Sequence, residues 1–386
     1  MPKLIRITTA PLSLKSLLSN QMRYMNENGF EVIMVSSEGK EWPDLIKKEG
    51  CDYRIISMAR QIAPFQDLKS LWQLYKLFKK ERPDIVHSHT PKAGLLAMLA
   101  AKFAGVKIRI HTIAGLRFMT AKGISRRILV FMEKITGKAA HHVWPNSYSL
   151  LNYIRRQKLV RETKLHVIGA GSSNGVDLSR YSVGSLNKDK LDEIKLQLNY
   201  DDQLCYLLNM GRIVRDKGID EVLTAFKALY ENNQQLRLIL LGSFEDELDP
   251  ISDAARDILK THPAIVHIEW SDHAEYYMHL STIMVHASYR EGFPSTLLQA
   301  GAMRCPIVCS AIEGSVDIVT HKETGLLFQA GNSSELLEQL QYALTHSEEM
   351  KKAASILRKK IEENFSQGYV HEMMKNKYMK LLQQAN

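Results

Sequence analysis

Two loops, each expected directly after a β-strand, carry the residues whose types and spacing suit chemistry on an anion. The first reads "GRIVRDKG" and occupies residues 211–218. Gly211 lets the backbone turn closely, Arg212 offers a planar fork of donors, and Lys217 adds a compact positive charge. The amides at the start of the next helix add partial positive charge. This loop therefore predicts a diphosphate site.

The second loop, "REGFPST", places another helix start at the end of a different strand. Pro294 suits the first turn of a helix, where its missing N–H has no consequence. Ser295 and Thr296 keep the entrance small and polar, so that the free amides form a second anion site.

A carboxylate and an amide side chain flank this helix start. Glu291 can accept hydrogen bonds from hydroxyl groups, and Gln299 lies one turn after Ser295 on the same helix face. A ligand with a central diphosphate and hydroxyl-rich groups on both sides fits this arrangement, and nucleotide-sugars have that layout. The alternative is a helix that only packs beside its strand, with Glu291 paired to Arg290 in solvent.

The elements that must position these loops form an α/β pattern. Short β-rich runs alternate with helical runs, and apolar strands with a helix after each one predict a parallel sheet covered on both faces. In the first half the predicted strands are "LIRITT", "EVIMVSS", "YRIISM", "DIVHSH", "KIRIHT", "HHVWPN" and "LHVIGA". In the second half they are "LCYLLNMG", "LRLILLG", "AIVHIEW", "TIMVHAS", "PIVCS" and "TGLLF".

The longer-range organisation is that of two doubly wound domains. A helical pattern is predicted over residues 13–29, and the polar stretch 182–203 is interpreted as the linker region. Ligands of such sheets bind at the carboxyl ends of the strands, so we expect these ends to face a shared cleft.

Composition narrows the class of protein. With 45% hydrophobic and 24% charged residues in 386, the chain reads as a soluble globular protein. No apolar run approaches the roughly 20 residues that cross a bilayer, and residues 1–16 lack the apolar core of a signal peptide. The four cysteines show no CxxC spacing. We therefore expect a reducing, cytoplasmic compartment.

Charge is unevenly distributed along the chain. Residues 1–175 contain 29 Lys and Arg against 12 Asp and Glu, whereas residues 176–386 contain 22 against 30. A basic half beside an acidic half predicts different partners for each. Nucleic acid and an anionic membrane are the candidates for the basic half, and a merely solvated basic surface is the alternative. No recognised nucleic-acid-binding module and little aromatic interleaving accompany the basic residues, so we expect no nucleic acid partner.

These segments together resemble a known family. "GRIVRDKG" and "REGFPSTLLQAGAMRCPIV" are similar to the two signature segments of retaining family-4 glycosyltransferases of the GT-B fold, the second being their E-x7-E motif. "PDIVHSHTPKAGLLAMLAA" and "GSSNGVDLSRY" resemble the branch that builds bacterial capsule, O-antigen or exopolysaccharide. The resemblance covers nearly the whole chain.

The resemblance implies a domain plan with a central cleft. It has a Rossmann-like acceptor domain over residues 1–185, a Rossmann-like nucleotide-sugar domain over 186–366, and a C-terminal helix over 367–386 that packs back on the first domain.

The resemblance also implies roles for the loop residues. Arg212 and Lys217 would hold the donor diphosphate, and Glu291 would contact the transferred sugar. The residues expected to complete donor binding are Gly211, Phe293, Pro294, Ser295, Thr296 and Gln299. The implied reaction moves a hexose from a nucleotide-sugar to a polyprenyl-diphosphate-linked saccharide, with retention and no protein nucleophile. Uridine is the expected base and guanosine its main rival.

Neither a cofactor nor a metal is expected. No D-x-D sequence occurs in the chain, so the usual ligands of a metal that neutralises the leaving diphosphate are missing. Arg212, Lys217 and a helix start would take that role by stabilising the charge that develops on the leaving group.

Two positions depart from the family pattern. Gln299 stands where the family has its second Glu, and Ala114 with Gly115 stands where it commonly has His-Gly. Gln still bonds ribose hydroxyls, but Ala cannot bond the sugar or the phosphate. His111 and Arg117 are the candidates to replace that contact.

The acceptor side is predicted from strand ends in the first half. The candidates are Ser13, Lys15, His89, Thr90, Lys92, His111, Arg117 and Asn174. Lys92 would meet an acceptor phosphate and His89 would orient an acceptor hydroxyl. Alternatively, His89 is a strand-end histidine bonded to the backbone, and Asn174 belongs to a simple Asn-Gly turn.

A peripheral location on the inner face of the plasma membrane follows from the basic half and a lipid-linked acceptor. "GISRRILVFMEKITGK", residues 123–138, is the predicted membrane-facing helix, and burial of its apolar face in the core is the alternative. Two further functions stay open, a GT-B nucleotide-sugar epimerase and a non-catalytic nucleotide-sugar-binding relative.

Overall fold

The computed structural model describes residues 1–386 except 60, 62, 248 and 386. The chain divides into two compact units. The first unit consists of Met1–Asn174 with Gln367–Asn386, and the second unit consists of Gly175–Ser366.

The first unit contains a parallel sheet covered by helices. Its strands are β1 (Lys3–Ile7), β2 (Glu31–Ser36), β3 (Asp52–Ile55), β4 (Ile85–Ser88), β5 (Ile108–Ile113) and β6 (His142–Pro145). Its helices up to residue 174 are α1 (Pro11–Leu17), α2 (Gln21–Glu27), α3 (Trp42–Glu49), α4 (Pro64–Glu81), α5 (Pro91–Ala104), α6 (Gly123–Ala139) and α7 (Tyr148–Arg156). The strand order in the described residues is β3-β2-β1-β4-β5-β6, all parallel.

The second unit repeats this topology. Its strands are β7 (Cys205–Met210), β8 (Leu236–Leu241), β9 (Ile265–Ile268), β10 (Ile283–His286), β11 (Ile307–Ser310) and β12 (Leu326–Phe328). Its helices are α8 (Lys188–Gln197), α9 (Ile219–Asn232), α10 (Asp253–Thr261), α11 (Ala274–Leu280), α12 (Ser295–Ala302), α13 (Ser315–Ile318), α14 (Ser333–Thr345) and α15 (Ser347–Asn364). Over the described residues the order is β12-β11-β10-β7-β8-β9, again all parallel.

The central strands are apolar on both faces because helices cover both sides of each sheet. In the first unit Ile5 and Val86 pack in the core cluster that includes residues of α4 and α5. Leu4 and Ile85, their neighbours along β1 and β4, pack in the opposite cluster with residues of α1 and α2. This explains why each of these strands carries two consecutive apolar residues instead of alternating apolar and polar ones.

Each sheet has a topological switch point between its first and fourth strands. β1 lies beside β4, and β7 lies beside β10, so strands are added to opposite sides of these central pairs. Loops that follow the two central strands therefore diverge and leave a crevice at their carboxyl ends, where ligands of doubly wound folds bind.

The last helix, α16 (Gln367–Ala385), belongs to the first unit. Its Tyr378 is fully buried, accepts a 2.7 Å hydrogen bond from Arg6 Nη1, and stacks on Trp144 with ring centroids 5.6 Å apart. Burial raises the pKa of Tyr378 to about 12, and the nearby Arg6 counters part of that rise. These contacts attach α16 to β1 and β6.

The first unit ends at Asn174, ahead of the predicted boundary at 185. The segment after Asn174 is attached to the second unit by its own contacts. Arg180 forms an ion pair with Glu275 at 2.8 Å, and the Tyr181 carbonyl accepts a hydrogen bond from Arg358. The predicted linker region also contains the folded helix α8, capped at its start by Asn187.

Two predicted elements are wrong. "LHVIGA" is not a strand, because only Leu165 bridges to Val143 and the chain then turns through the positive φ of Gly169. The single helical pattern over 13–29 is two helices, α1 and α2, separated at Asn20, whose φ of 66° cannot continue a helix.

Candidate functional site

The two loops that the sequence predicts separately meet at the switch point of the second unit. Lys217 ends a short 3-10 turn after β7, and Glu291 lies in the loop after β10. The Lys217 ammonium and the Glu291 carboxylate form an ion pair. The predicted phosphate-binding cation and the predicted sugar-binding carboxylate are therefore direct neighbours.

Glu291 is held in its ionised form. Its side chain is only 18% exposed, and Ser288 Oγ donates to its Oε1 at 3.0 Å. His286 Nε2 lies 3.5 Å from the same oxygen. Burial alone would raise the pKa of Glu291, but the charge of Lys217 and the hydrogen bond from His286 outweigh burial and lower it well below its usual range.

Arg290 joins the two loops through Asp216. Its Nε and Nη2 donate to Asp216 Oδ2 at 2.9 and 2.6 Å, a charge-assisted pair. The Tyr289 amide donates to the Asp216 carbonyl at 2.9 Å. The alternative of a solvent-exposed pair between Glu291 and Arg290 is wrong, since Glu291 is mostly buried against Lys217.

Arg212 also has an acidic partner. Its Nη1 donates to Glu245 Oε2 at 2.5 Å, and the two side chains are 47% and 28% exposed. Sequence reasoning missed Glu245. It lies in the segment after β8, so applying the strand-end rule to "LRLILLG" would have found it.

Gly218 brings the loops after β7 and β10 into backbone contact. It has a φ of +67°, and a Cβ at this position would lie 2.1 Å from the carbonyl oxygen of Ala287. Both the conformation and the space require glycine. The site is therefore built on backbone packing as well as on the ion pairs.

The start of α12 supplies the second predicted anion site. Pro294 is the residue before the helix rather than part of its first turn. Ser295 is exposed and Thr296 is half-buried, and first-turn amides have no partner within a helix. Phe293 is buried and packs on Phe365, so only its backbone can face a ligand. Gln299 is half-buried on the next turn.

In the first unit, Thr90 and Lys92 lie at the corresponding switch point. Thr90 Oγ1 is 2.7 Å from Thr9 Oγ1, which joins the segments after β4 and β1. Lys92 is 7% exposed, and its Nζ pairs with Asp67 Oδ2 at 2.5 Å. Lys92, the predicted contact for an acceptor phosphate, is thus paired with a residue in the first turn of α4.

His89 lies beside His87, with ring centroids 4.1 Å apart. It is 3% exposed, and within the described residues neither of its ring nitrogens has a hydrogen-bond partner. The alternative of a backbone-bonded histidine is therefore wrong. Burial, aided by the charge of Arg6, lowers the pKa of His89 well below its usual range, so the ring is neutral.

The remaining acceptor candidates lie in varied settings. His111 is buried in β5 with its Nδ1 2.9 Å from Ser88 Oγ, and burial lowers its pKa to about 4. Arg117 is exposed, and Ala114 is half-buried just after β5. Ser13 is half-buried in α1, where Lys15 pairs with Asp44 at 2.9 Å.

Asn174 has an internal network of contacts. Its Oδ1 accepts from Gln21 Nε2 at 3.0 Å and lies 2.7 Å from His371 Nε2, while its Nδ2 donates to the Ser19 carbonyl. These bonds connect α2, α16 and the end of the first unit. They give Asn174 a structural role.

Neither a metal cluster nor a membrane-spanning helix is found in the described part of the chain. No group of three or more His, Cys, Asp or Glu side chains there could hold a metal ion. None of the described helices combines the length and the hydropathy needed to cross a bilayer.

Two family descriptions match adjoining parts of the sequence. The family described as "Glycosyl transferase 4-like domain" matches residues 17–171, in the first unit. The family described as "Glycosyl transferases group 1" matches residues 190–360, in the second unit.

Full-length relatives agree with this assignment. The chain is 32% identical to the capsular polysaccharide biosynthesis glycosyltransferase CapM of Staphylococcus aureus, over 99% of this chain and 98% of CapM. It is 26% identical to the UDP-Gal:alpha-D-GlcNAc-diphosphoundecaprenol alpha-1,3-galactosyltransferase of Escherichia coli, over 88% of this chain and 85% of that protein.

The fold is likewise that of solved glycosyltransferases. A glycosyltransferase structure from Rickettsia africae superimposes with a TM-score of 0.80 at 19% identity, covering 99% of this chain and 98% of that one. The predicted GT-B fold is confirmed. The chain belongs to the family-4 glycosyltransferases of the GT-B fold, in the branch that synthesises bacterial surface polysaccharides.

Proposed function

We propose that this enzyme transfers a hexose from a nucleotide-sugar, with UDP as the nucleotide, to a polyprenyl-diphosphate-linked saccharide. The transfer proceeds with retention of anomeric configuration and without a metal. The observation that carries the proposal is the placement of Arg212 and Lys217 after β7 and of Glu291 after β10, just before the start of α12, with Lys217 and Glu291 in an ion pair. The name of the Escherichia coli relative, which states a UDP-Gal donor and a diphosphoundecaprenol acceptor, supports both substrate classes.

The cations would neutralise the leaving group. As the bond between the anomeric carbon and the β-phosphate oxygen breaks, charge develops on that oxygen, and preorganised donors lower the barrier. Arg212 pairs with the partly exposed Glu245, so a bound diphosphate would replace this carboxylate as its partner. Lys217 would reach the same diphosphate from the end of the 3-10 turn.

Glu291 would position the transferred sugar. Because it is ionised and held by Lys217 and Ser288, it would accept hydrogen bonds from sugar hydroxyls in a fixed direction. The acceptor hydroxyl would bond to the anomeric carbon on the face that the phosphate leaves. Its proton would pass to the departing phosphate oxygen, so no protein nucleophile is needed.

The acceptor would be met by the first unit. His89 is neutral and buried, and its two ring nitrogens have no hydrogen-bond partner among the described residues, which suits a residue that orients an acceptor hydroxyl. A polyprenyl acceptor is anchored in the bilayer, so the enzyme would work at the inner face of the plasma membrane.

A transfer assay tests the proposal. The enzyme is mixed with labelled UDP- and GDP-hexoses, a polyprenyl-diphosphate-linked saccharide and EDTA, and the anomeric configuration of the product is read by NMR. We expect product only with acceptor, from UDP-sugars, with retained configuration. Product from donor alone would identify an epimerase, and nucleotide binding without product would identify a non-catalytic relative.

A matched pair of variants links the activity to the site. Arg212→Ala is expected to reduce kcat by roughly 100- to 1,000-fold, the usual effect of removing one donor to a developing charge. Arg215→Ala, which removes an exposed Arg from the same loop, serves as the control and is expected to retain activity. A loss under about tenfold in Arg212→Ala, with the fold intact, would contradict the role of Arg212.

A further inference from the structure

Arg6, on β1, is a fully buried cation whose hydrogen-bond partners are uncharged. Its Nη1 donates to the Tyr378 hydroxyl at 2.7 Å and to the Met374 sulfur at 3.5 Å, and its Nη2 donates to the Gln21 side-chain carbonyl. In the described part of the chain these contacts include no carboxylate. A guanidinium can only donate, so the Tyr378 oxygen has to accept from it.

The bond from Arg6 fixes the tautomer of His87. Because the Tyr378 oxygen already accepts from Arg6, its own proton is left for His87 Nδ1, 2.5 Å away. Burial lowers the pKa of His87 well below its usual range and keeps the ring neutral. With Nδ1 as acceptor, a neutral ring carries its proton on Nε2, which donates to Thr112 Oγ1 at 2.7 Å. Both ring nitrogens of His87 are therefore held.

His87 in turn holds the ring of His89. The two ring centroids lie 4.1 Å apart with a tilt of 36° between the planes, and Trp144 contacts His87 edge-on at 5.0 Å. Within the described residues neither ring nitrogen of His89 has a hydrogen-bond partner. Packing on His87, rather than a bond of its own, therefore orients the His89 ring.

These contacts connect the C-terminal helix with the acceptor edge of the first unit. Tyr378 lies on α16, 291 positions after His87. His89 directly follows β4, at the switch point between β1 and β4 where ligands of doubly wound folds bind. A residue of the last helix can thus change the geometry of this edge without touching an acceptor.

We propose that Tyr378 is a positioning residue for the acceptor: its hydroxyl fixes the ring of His87, and His87 fixes the ring of His89. The inference rests on the proposed function, in which His89 orients the acceptor hydroxyl. Reacting groups have to be held closely in place, since a misplacement of about 1 Å costs up to about 100-fold in rate.

NMR of the full-length protein with labelled histidine tests the fixed rings without any substrate. We expect His87, assigned by its loss in His87→Asn, to carry its proton on Nε2. In Tyr378→Phe the Nδ1 signal of His87 should shift because this atom loses its donor, and the ring signals of His89 should shift with it. A wild-type His87 protonated on Nδ1, or unchanged His89 signals in Tyr378→Phe, would overturn the inference.

Kinetics of Tyr378→Phe test the consequence for transfer. The variant keeps the ring that stacks on Trp144 and loses only the hydroxyl. We expect kcat to fall roughly 10- to 100-fold, with an unchanged KM for the nucleotide-sugar, because the donor site lies in the second unit.

Leu381→Ala is the matched control for the attachment of α16. Leu381 is buried on the same helix, in the core cluster that also contains Tyr378. Its truncation should lower the melting temperature but leave kcat within about twofold of the wild type, because His87 keeps its bonds. Equal losses of kcat in Tyr378→Phe and Leu381→Ala would overturn the inference, since the hydroxyl would then serve only to attach the helix.

Thr112→Val releases His87 from its other side. Val resembles Thr in shape but cannot accept the bond from His87 Nε2, and the change leaves α16 untouched. We expect a loss of kcat of the same order, roughly 10-fold or more. This variant decides the question if Tyr378→Phe does not fold, and an unchanged kcat would then overturn the inference.

A double-mutant cycle tests whether Tyr378 acts through His89. In a His89→Leu background, Tyr378→Phe should cause no further loss of kcat, although it should still lower the melting temperature. Additive losses of kcat would overturn the inference.

Failure of this inference can be told apart from failure of the proposed function. If the wild type transfers sugar and Tyr378→Phe transfers it equally fast, only the inference is overturned. If the wild type transfers no sugar, the proposed function is overturned, and the ring signals of His89 decide the inference. Signals that shift in Tyr378→Phe but not in Leu381→Ala would support it, and signals that respond alike in both variants would overturn it.

Discussion

Lys217 and Glu291 form an ion pair across the switch point of the second unit, although 74 positions separate them in the sequence. The pair exists because β7 and β10 are neighbours in the sheet, so that the loops after them share one crevice. A cation that can bind phosphate and a carboxylate that can bind hydroxyl groups are therefore adjacent, as the diphosphate and the sugar are in a nucleotide-sugar.

Glu291→Gln should separate binding from turnover. The substitution removes a negative charge beside the diphosphate position and releases Lys217, so we expect the Kd for UDP to fall by about two- to fivefold. The same substitution weakens the contact to the transferred sugar, so kcat should fall by about 100-fold. Calorimetry and initial rates measure the two effects. If UDP affinity and kcat decrease together, Glu291 instead supports the fold of the loop.

Glu245→Gln should strengthen donor binding without a loss of turnover. Glu245 competes with the diphosphate for Arg212, and the pair is partly exposed, so we expect the Kd for UDP to fall about two- to fivefold. Glu247→Gln removes the same charge from an exposed side chain of the same segment and is the control. Equal effects of the two variants on the Kd would point to general electrostatics rather than to competition for Arg212.

Gly218→Ala should damage the donor site. The φ of +67° disfavours Ala, and the new Cβ would lie 2.1 Å from the Ala287 carbonyl oxygen. We expect the second unit to lose about 1–3 kcal/mol of unfolding free energy, together with weaker UDP binding. The measurements are chemical denaturation and calorimetry.

Gly184→Ala is the matched control, because a Cβ there meets nothing closer than 3.9 Å. If Gly218→Ala and Gly184→Ala behave alike in both measurements, backbone contact between the loops is not what shapes the site.

Acid should destabilise the first unit below about pH 6.5. Burial holds the pKa of His87 and His89 well below their usual range and lowers that of His111 to about 4. An unfolded histidine titrates near pH 6.5, so between these values the unfolded state binds more protons. The unfolding free energy of the first unit therefore falls as the pH falls through this window. Urea unfolding from pH 8 to pH 4.5 measures it.

His89→Leu should reduce this pH dependence by up to about 1.36 kcal/mol per pH unit, the slope of one proton. At pH 8 the variant should be as stable as the wild type or more so, because it removes buried ring nitrogens that have no hydrogen-bond partner in the described part of the chain. Transfer activity should nevertheless fall if His89 orients the acceptor. Unchanged activity would assign His89 to the fold alone.

The strands and the principal site loops could be predicted because both depend on local sequence. Apolar runs bounded by turns identified twelve strands, and the strand-end rule selected Arg212, Lys217 and Glu291 before any contact was known. Tertiary partners could not be predicted in this way. The pairing of Arg290 with Asp216 depends on strand order, which the sequence does not display.

Three other features also depend on tertiary structure. The break at Asn20 needs a positive φ that a helical pattern does not reveal. "LHVIGA" has strand composition but only one bridging residue. Asn174 belongs to a common turn dipeptide, yet its side chain is occupied by Gln21, Ser19 and His371.

The most direct test of the account is calorimetric titration of UDP, in EDTA, into the wild type, Arg215→Ala, and the double variant Arg212→Ala/Lys217→Ala. The double variant loses two charge-assisted contacts to the diphosphate, so we expect its UDP binding to weaken at least about 100-fold. Arg215→Ala should keep wild-type affinity. Wild-type affinity in a folded double variant would contradict the central claim that Arg212 and Lys217 hold the donor diphosphate.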